Sequence, residues 1–217
     1  MDKLSLFEKL YLNYLFYLNK LRFARLKHAL AGRVEFGEGC DISIKNLSYK
    51  GKGHIVFGRG NVAERGDFPL VFETEKNSEI IFGDRVGFRC KYCSNVFTIY
   101  EGARIEVGDD SFFNGTIVNA KNLIRIGKKS LLSWHVSVMD SDLHDLSNTR
   151  KERVKSVEIG DYVLVGTGTV ILAGVKIGSH CVIGSNSVVT KDIPDHCIAA
   201  GAPCKAIGKV DDRDLAR

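Results

Sequence analysis

"VEIGDYVLVGTGTVILAGVKIGSHCVIG" occupies residues 157–184, and its rhythm decides the fold. An aliphatic residue stands before a glycine at Ile159, Val165, Ile177 and Ile183. Ile159 to Ile177 is 18 residues, Val165 to Ile183 is 18, and the half-step from Ile159 to Val165 is six. A six-residue unit used three times per turn is the signature of a parallel β-helix built from hexapeptides. Each unit supplies a short strand whose aliphatic residue points inward, then a small residue at which the backbone corners. Stacked turns bury a continuous column of Val, Ile and Leu. Helices of this kind wind left-handed, an exception to the right-handed crossover preference. The expectation is a mainly β chain: a left-handed parallel β-helix over residues 34–208, an N-terminal helical arm over 1–33 and a tail over 209–217.

Working outward, the same marker recurs at Phe36, Phe57, Phe82, Val107 and Ile126, but the rhythm loosens. Phe57 to Phe82 and Phe82 to Val107 are each 25 residues, and Val107 to Ile126 is 19. The early coils are therefore wider than the late ones or carry outward excursions. Ile126 to Ile159 is 33 residues, fifteen more than one regular coil. The surplus predicts an extruded loop around 143–156, rooted in "MDSDLHDL" at 139–146, a glycine-free cluster rich in acids and histidine. Where a stiff scaffold meets a projecting loop is a usual setting for function.

Hydrophobic content of 44% and charged content of 26% are those of a globular rather than a disordered chain. The net charge of +5 sits in the arm, where seven Lys/Arg face two acids, so the body is neutral. A neutral body lacks the basic stripe that a nucleic-acid-binding surface needs, so no nucleic-acid partner is expected. In the arm, Leu4, Phe7, Tyr11, Tyr14, Leu18 and Leu21 recur at helical spacing. Asn13 and Asn19 interrupt it as a membrane span, and the basic "KLRFARLKH" is wrong for a signal peptide. It reads as helix packed on the body or a neighbouring subunit, with peripheral contact to an anionic membrane as the sharper alternative. The expected location is cytoplasmic, or peripheral at the inner membrane face. "CKYC" at 90–93 lacks the second ligand pair of a structural zinc site and reads as two core or corner thiols. His28, His54, His180 and His196 read as surface or corner residues, and no metal is expected.

"SVVTKDIP" at 187–194 and "AAGAPCKAIG" at 199–208 form a specific ending, and "SWHVSVMDSDLH" at 133–144 is a distinctive histidine segment. In these motifs the chain resembles the hexapeptide-repeat acyltransferases that use acetyl-CoA. Within them it is most similar to galactoside, maltose and capsular-polysaccharide O-acetyltransferases. The resemblance is strong over about 100–210. It implies transfer of an acetyl group from acetyl-CoA to a hydroxyl of a polysaccharide, oligosaccharide or lipid-linked sugar. An amino sugar of a sugar nucleotide is the alternative acceptor.

Such transfer needs a base for the hydroxyl proton, and a neutral imidazole suits it. His144 is the expected base. In an extended segment Asp140 and Asp142 would alternate onto its side, either one able to hold its tautomer and stabilise the imidazolium. The resemblance places an oxyanion donor at the Thr167 backbone and CoA along Thr167, Ser185, Thr190, Lys191 and Lys205. It places the acceptor near Asn114, Asn119, Trp134 and His135. Where many relatives carry tryptophan in the coil after the histidine loop, this chain has Leu164. The resemblance also implies a homotrimer with sites between subunits. The basic run Arg150, Lys151, Arg153 and Lys155 is expected to be solvated surface, and an acidic saccharide or CoA phosphate is its alternative partner.

Overall fold

The computed structural model describes residues 18, 21, 23–42, 47–64, 66–145 and 151–210. Three parallel sheets wrap around one core, and each coil from His54 to Val189 contributes one strand to each. The first face stacks Val34–Phe36, His54–Phe57, Glu79–Phe82, Arg104–Val107, Leu123–Ile126, Val157–Ile159 and Lys176–Ile177. The second runs from Val62–Ala63 through Gly87–Arg89, Phe112–Asn114, Leu131–Leu132, Leu164–Val165 and Val182–Ile183 to Cys197–Ala200. Lys205–Lys209 closes that sheet as an antiparallel edge. The third comprises Leu47–Gly51, Leu70–Thr74, Asn95–Ile99, Ile117–Ala120, Ser137–Met139, Val170–Ile171 and Val188–Val189. This is the left-handed β-helix that the hexad spacing implied. The markers are in register: Phe57 pairs with Phe82, Phe82 with Val107, Val107 with Ile126, Ile126 with Ile159 and Ile159 with Ile177. Val165 and Ile183 fall on the second face, which is why they lie a third of a coil away.

Both explanations of the loose early rhythm hold. Third-face strands are five residues long at 70–74 and 95–99 but only two at 170–171 and 188–189, so early coils are wider. The early corners at 64–69 and 90–94 are also longer than the later 115–116. The wider lumen is filled by Phe57, Phe72, Phe82, Phe88, Phe97 and Phe113, all fully buried. Their rings stack between coils, as in Phe57–Phe82 at 5.1 Å and Phe72–Phe97 at 5.3 Å, and meet edge-on within them, as in Phe82–Phe88 at 5.0 Å. Late coils are filled by Val165, Ile171, Ile177, Ile183 and Val189 instead.

The glycine after each first-face strand marks a corner where coils touch. A Cβ on Gly127 would lie 2.5 Å from the Gly160 carbonyl carbon, so no side chain fits. The corner is then pinned by the next coil: the Lys128 amide donates to Asp161 Oδ1 at 2.9 Å.

Residues 23–29 are helical, and Phe23 meets Phe36 edge-on at 5.1 Å, with Leu30 packed on the core. The helix thus covers the first coil, as one of the two readings of the arm expects. Leu21 does not share its buried face and is 65% exposed, because Phe23 and Leu30 make the contact instead. Leu4, Phe7, Tyr11 and Tyr14 lie outside the described residues. Among the described residues, no helix is long and apolar enough to cross a membrane.

The outward rows of the three faces differ. On the first face the register aligns Ile81, Glu106, Arg125, Glu158 and Lys176. The charges pair with one another, Arg125 to Glu106 at 2.7 Å and Lys176 to Glu158 at 3.4 Å. On the second face the aligned row is Phe112, Leu131, Leu164, Val182 and Ile198. On the third it is Val96, Ile117, Ser137, Val170 and Val188. Leu164 and Ile117 are 41% and 39% exposed. These rows of the second and third faces are apolar but for Ser137, the third face also carries a polar row of Glu73, Thr98 and Asn119, and the first face is an ion-pair ladder.

Candidate active site

The extruded loop leaves the third face after Met139 and re-enters the first face at Val157. Asp140 begins it and is fully buried. Its Oδ1 accepts the Lys121 amide and its Oδ2 the Asn122 amide, both at 2.7 Å, so its two oxygens hold the corner of the preceding coil. Burial pushes this carboxyl above its ordinary range, against the amides that favour its charge. Ser141 and Val154 form an antiparallel bridge, and the Asp142 amide donates to the Arg153 carbonyl at 3.1 Å. The loop therefore starts as a short ribbon.

The expected alternation of Asp140, Asp142 and His144 does not occur. Leu143 has φ 64°, a left-handed turn that ends the extended run, and its amide donates to Ser141 Oγ at 3.2 Å. Asp140 points inward at the root while His144 lies exposed beyond the turn. His144 has no hydrogen bond or ion pair among the described residues. Asp142 is the carboxylate with capacity left: its Oδ2 is buried and accepts no hydrogen bond, and its Oδ1 is 4.0 Å from Arg153 Nε.

The described members of the basic run, Lys151, Arg153 and Lys155, are exposed, as a solvated surface requires, and two of them also have partners. Lys151 Nζ lies 3.3 Å from Asp145, and Arg153 Nη2 donates to the Ala173 carbonyl at 2.9 Å. Arg150 lies outside the described residues.

The other expected residues fall on two edges of the prism. The edge between third and first faces carries the His144 loop, the 172–175 corner beneath it, and Thr190 and Lys191, both exposed. The edge between second and third faces carries Trp134, His135, Thr167 and Ser185. Here the Gly168 amide donates to the Trp134 carbonyl at 2.9 Å, Asn186 to Thr167 at 2.8 Å and Gly166 to Ile183 at 2.8 Å. The Thr167 amide donates to no carbonyl among the described residues. His135 is an exposed corner residue with φ 57°, and Trp134 meets Tyr92 edge-on at 6.3 Å. His135 and His144 thus stand on different edges. Asn114 is 5% exposed in the second sheet, with Oδ1 buried and unpartnered. Asn119 sits on the third face between Thr98 and Met139. Lys205 opens the exposed terminal strand.

Several other groups are accounted for by the fold. Cys90 is buried and Cys93 is half-buried, both in the 90–94 corner. His180 stacks on Tyr162 and on His196, each at 4.8 Å, in one corner column. His54 lies on the first face 3.1 Å from Glu35. A groove of about 800 Å³ runs along the first face past Arg104, Glu106, Arg125 and Glu158. Its charges are spent on each other, so its size alone makes no acyl-transfer site.

Residues 156–191 match the family profile described as bacterial transferase hexapeptide (six repeats). A galactoside O-acetyltransferase from Lactococcus lactis is 30% identical over 153 residues, covering 67% of this chain and 73% of that protein. Among solved structures, the polySia specific acetyltransferase NeuO aligns at 26% identity and a TM-score of 0.52, over 81% of this chain and 85% of that one. The polysialic acid O-acetyltransferase OatWY, at 23% identity, shares the fold with a TM-score of 0.60 over 82% and 88% of the two chains.

Proposed function

This chain belongs to the hexapeptide-repeat acetyltransferases, and we propose that within that family it moves the acetyl group of acetyl-CoA to a hydroxyl of a saccharide. The observation that carries the reading is the loop that exposes His144 two residues after Asp142, the one carboxylate of the pair with an unspent oxygen. His144 takes the proton of the acceptor hydroxyl as its oxygen attacks the thioester carbonyl. The negative charge that develops on the carbonyl oxygen meets the Thr167 amide, a preorganised donor. The C–S bond then breaks, and the imidazolium returns the proton to the leaving thiolate. Asp142, rather than Asp140, stabilises the charged ring through this cycle. The saccharide class is supported by the relatives, which act on galactosides and on polysialic acid by name.

In one subunit the base and the Thr167 corner lie on opposite edges of the third face. A cyclic homotrimer would bring one subunit's His144 edge against the next subunit's Thr167 edge. The apolar outer rows of the second and third faces support this packing, and the ion-paired first face is suited to water. In such a trimer Thr190 and Lys191 come from one subunit and Thr167 and Ser185 from its neighbour. Lys191 and Lys205 would meet phosphates as mobile point charges.

Thiol release from acetyl-CoA, measured for wild type and His144→Ala against free sugars, oligosaccharides, lipid-linked sugars and amino-sugar nucleotides, tests the reading. Release that depends on a hydroxyl acceptor and falls by at least about 100-fold in the variant is expected. Full activity in the variant would remove His144 as base. Turnover on amino sugars alone would make the product an amide rather than an ester.

A further inference from the structure

Lys121 and Asn122 form the corner of the coil that precedes the loop, and this corner grips the loop at three separated points. Their amides hold Asp140 where the loop leaves. The Asn122 side-chain amide donates to Ser156 Oγ at 3.0 Å where it returns. Between these, Lys121 Nζ lies 2.8 Å from Glu152 Oε1 and 3.0 Å from Oε2. Both side chains are 22% exposed, whereas the first-face partners Arg125 and Glu158 are 52% and 45% exposed. The ammonium also sits 4.8 Å from the Tyr100 ring, so three successive coils meet at this cation. The hydrogen bond from Lys121 holds the Glu152 carboxyl below the ordinary carboxylate range, against the opposing effect of burial.

Glu152 is tied in turn to the part of the loop that bears the histidine. Its amide donates to Asp145 Oδ1 at 2.8 Å, and Asp145 follows His144 directly. Lys121 therefore reaches His144 through two links, Glu152 and Asp145. A solvated surface pair contributes little, but a half-shielded pair that loses one partner leaves a poorly hydrated charge that pulls its segment away.

We propose that Lys121 and Glu152 are positioning residues: their ion pair latches the extruded loop to the coil below and fixes the place of His144. This rests on the reading of His144 as the base. The test uses the full-length protein with Lys121→Met, Glu152→Gln, Lys121→Arg and the exchange Lys121→Glu with Glu152→Lys. In Lys121→Met and Glu152→Gln, kcat should fall by about 10- to 100-fold while KM for acetyl-CoA stays within about twofold, since the donor site is untouched. Lys121→Arg and the exchanged pair should recover most of kcat. Hydrogen exchange over 141–156 should quicken in the two disabled variants and not in the two that keep the pair. A latch that loosens by exchange while kcat holds would overturn the positioning role, and so would unchanged exchange. Equal losses in Lys121→Arg would also overturn it, since a generic packing defect does that. Activity retained in His144→Ala would sink the base itself, whatever Lys121 does.

Discussion

The two ends of the prism solve one packing problem in different ways. Between Phe57 and Val107 the coils are 25 residues long and close on stacked phenylalanines; after Ile159 they are 18 long and close on single aliphatic side chains. A strand five residues long opens a gap across the lumen that Val or Ile cannot bridge, so the wide coils need rings. The narrow coils keep strict hexads because two-residue strands leave no slack for an insertion. The expected CoA-contacting residues Thr167, Ser185, Thr190 and Lys191 lie at corners of the narrow coils, while His144 precedes them on the loop. The loop breaks that regularity at one place and is held there by side chains of the adjoining corner.

Removing a ring from the wide coils should break the comparison hardest. Phe82→Ala deletes a side chain in contact with Phe57, Phe72, Phe88 and Phe97, and should cost about 3–5 kcal/mol in chemical denaturation. A loss below about 1 kcal/mol would mean the wide coils repack freely. In the narrow coils, Ile183→Val removes one methylene from a buried column and should cost only about 0.5–1.5 kcal/mol. An equal loss at the two positions would erase the distinction between aromatic and aliphatic closure.

Acid should separate the regions with the smallest effect. In the wide coils Arg59 holds Asp84, and Arg85 holds Asp110, below the ordinary carboxylate range. Their stabilisation is present above that range and is lost as pH falls through their depressed values. Asp140 at the loop root is shifted the other way, so its contribution is present at low pH and is lost as pH rises through its raised value. Between pH 6 and about 3, hydrogen exchange, corrected for its intrinsic rate, should lose protection at 59–60 and 84–85 but not at 121–122. Loss at 121–122 first would show that charged Asp140 is the main hold on that corner.

Much of the fold was legible because its period is local. Phe57, Phe82, Val107, Ile126, Ile159 and Ile177 read as one column from spacing alone, and all lie in one sheet. The 33-residue interval located the loop in the same way, since a strict repeat turns any surplus into an excursion. The base candidate was legible too, because an imidazole among acids is conspicuous in a chain of aliphatic hexads.

The partners of those residues were not legible. Asp140 and Asp142 are indistinguishable as letters, yet amides nineteen and eighteen residues back occupy both oxygens of Asp140 and leave Asp142 with one spare. A turn at Leu143 undid the alternation that an extended strand would have kept. Lys121 and Glu152 carry no motif, and 31 residues separate them. The basic run is exposed as it read, but its partners, Asp145 and the Ala173 carbonyl, were not legible because they come from the ribbon's own fold and the coil beneath.

By itself the sequence determined the stack of coils, the loop's position and the residue types available for acyl transfer, because side-chain size and glycine placement act within a single turn. The tertiary structure decided which carboxylate is spent, which cation latches the loop and which outer rows stay apolar. Those outcomes depend on contacts between coils, and stacking brings together groups that the chain keeps a full turn or more apart.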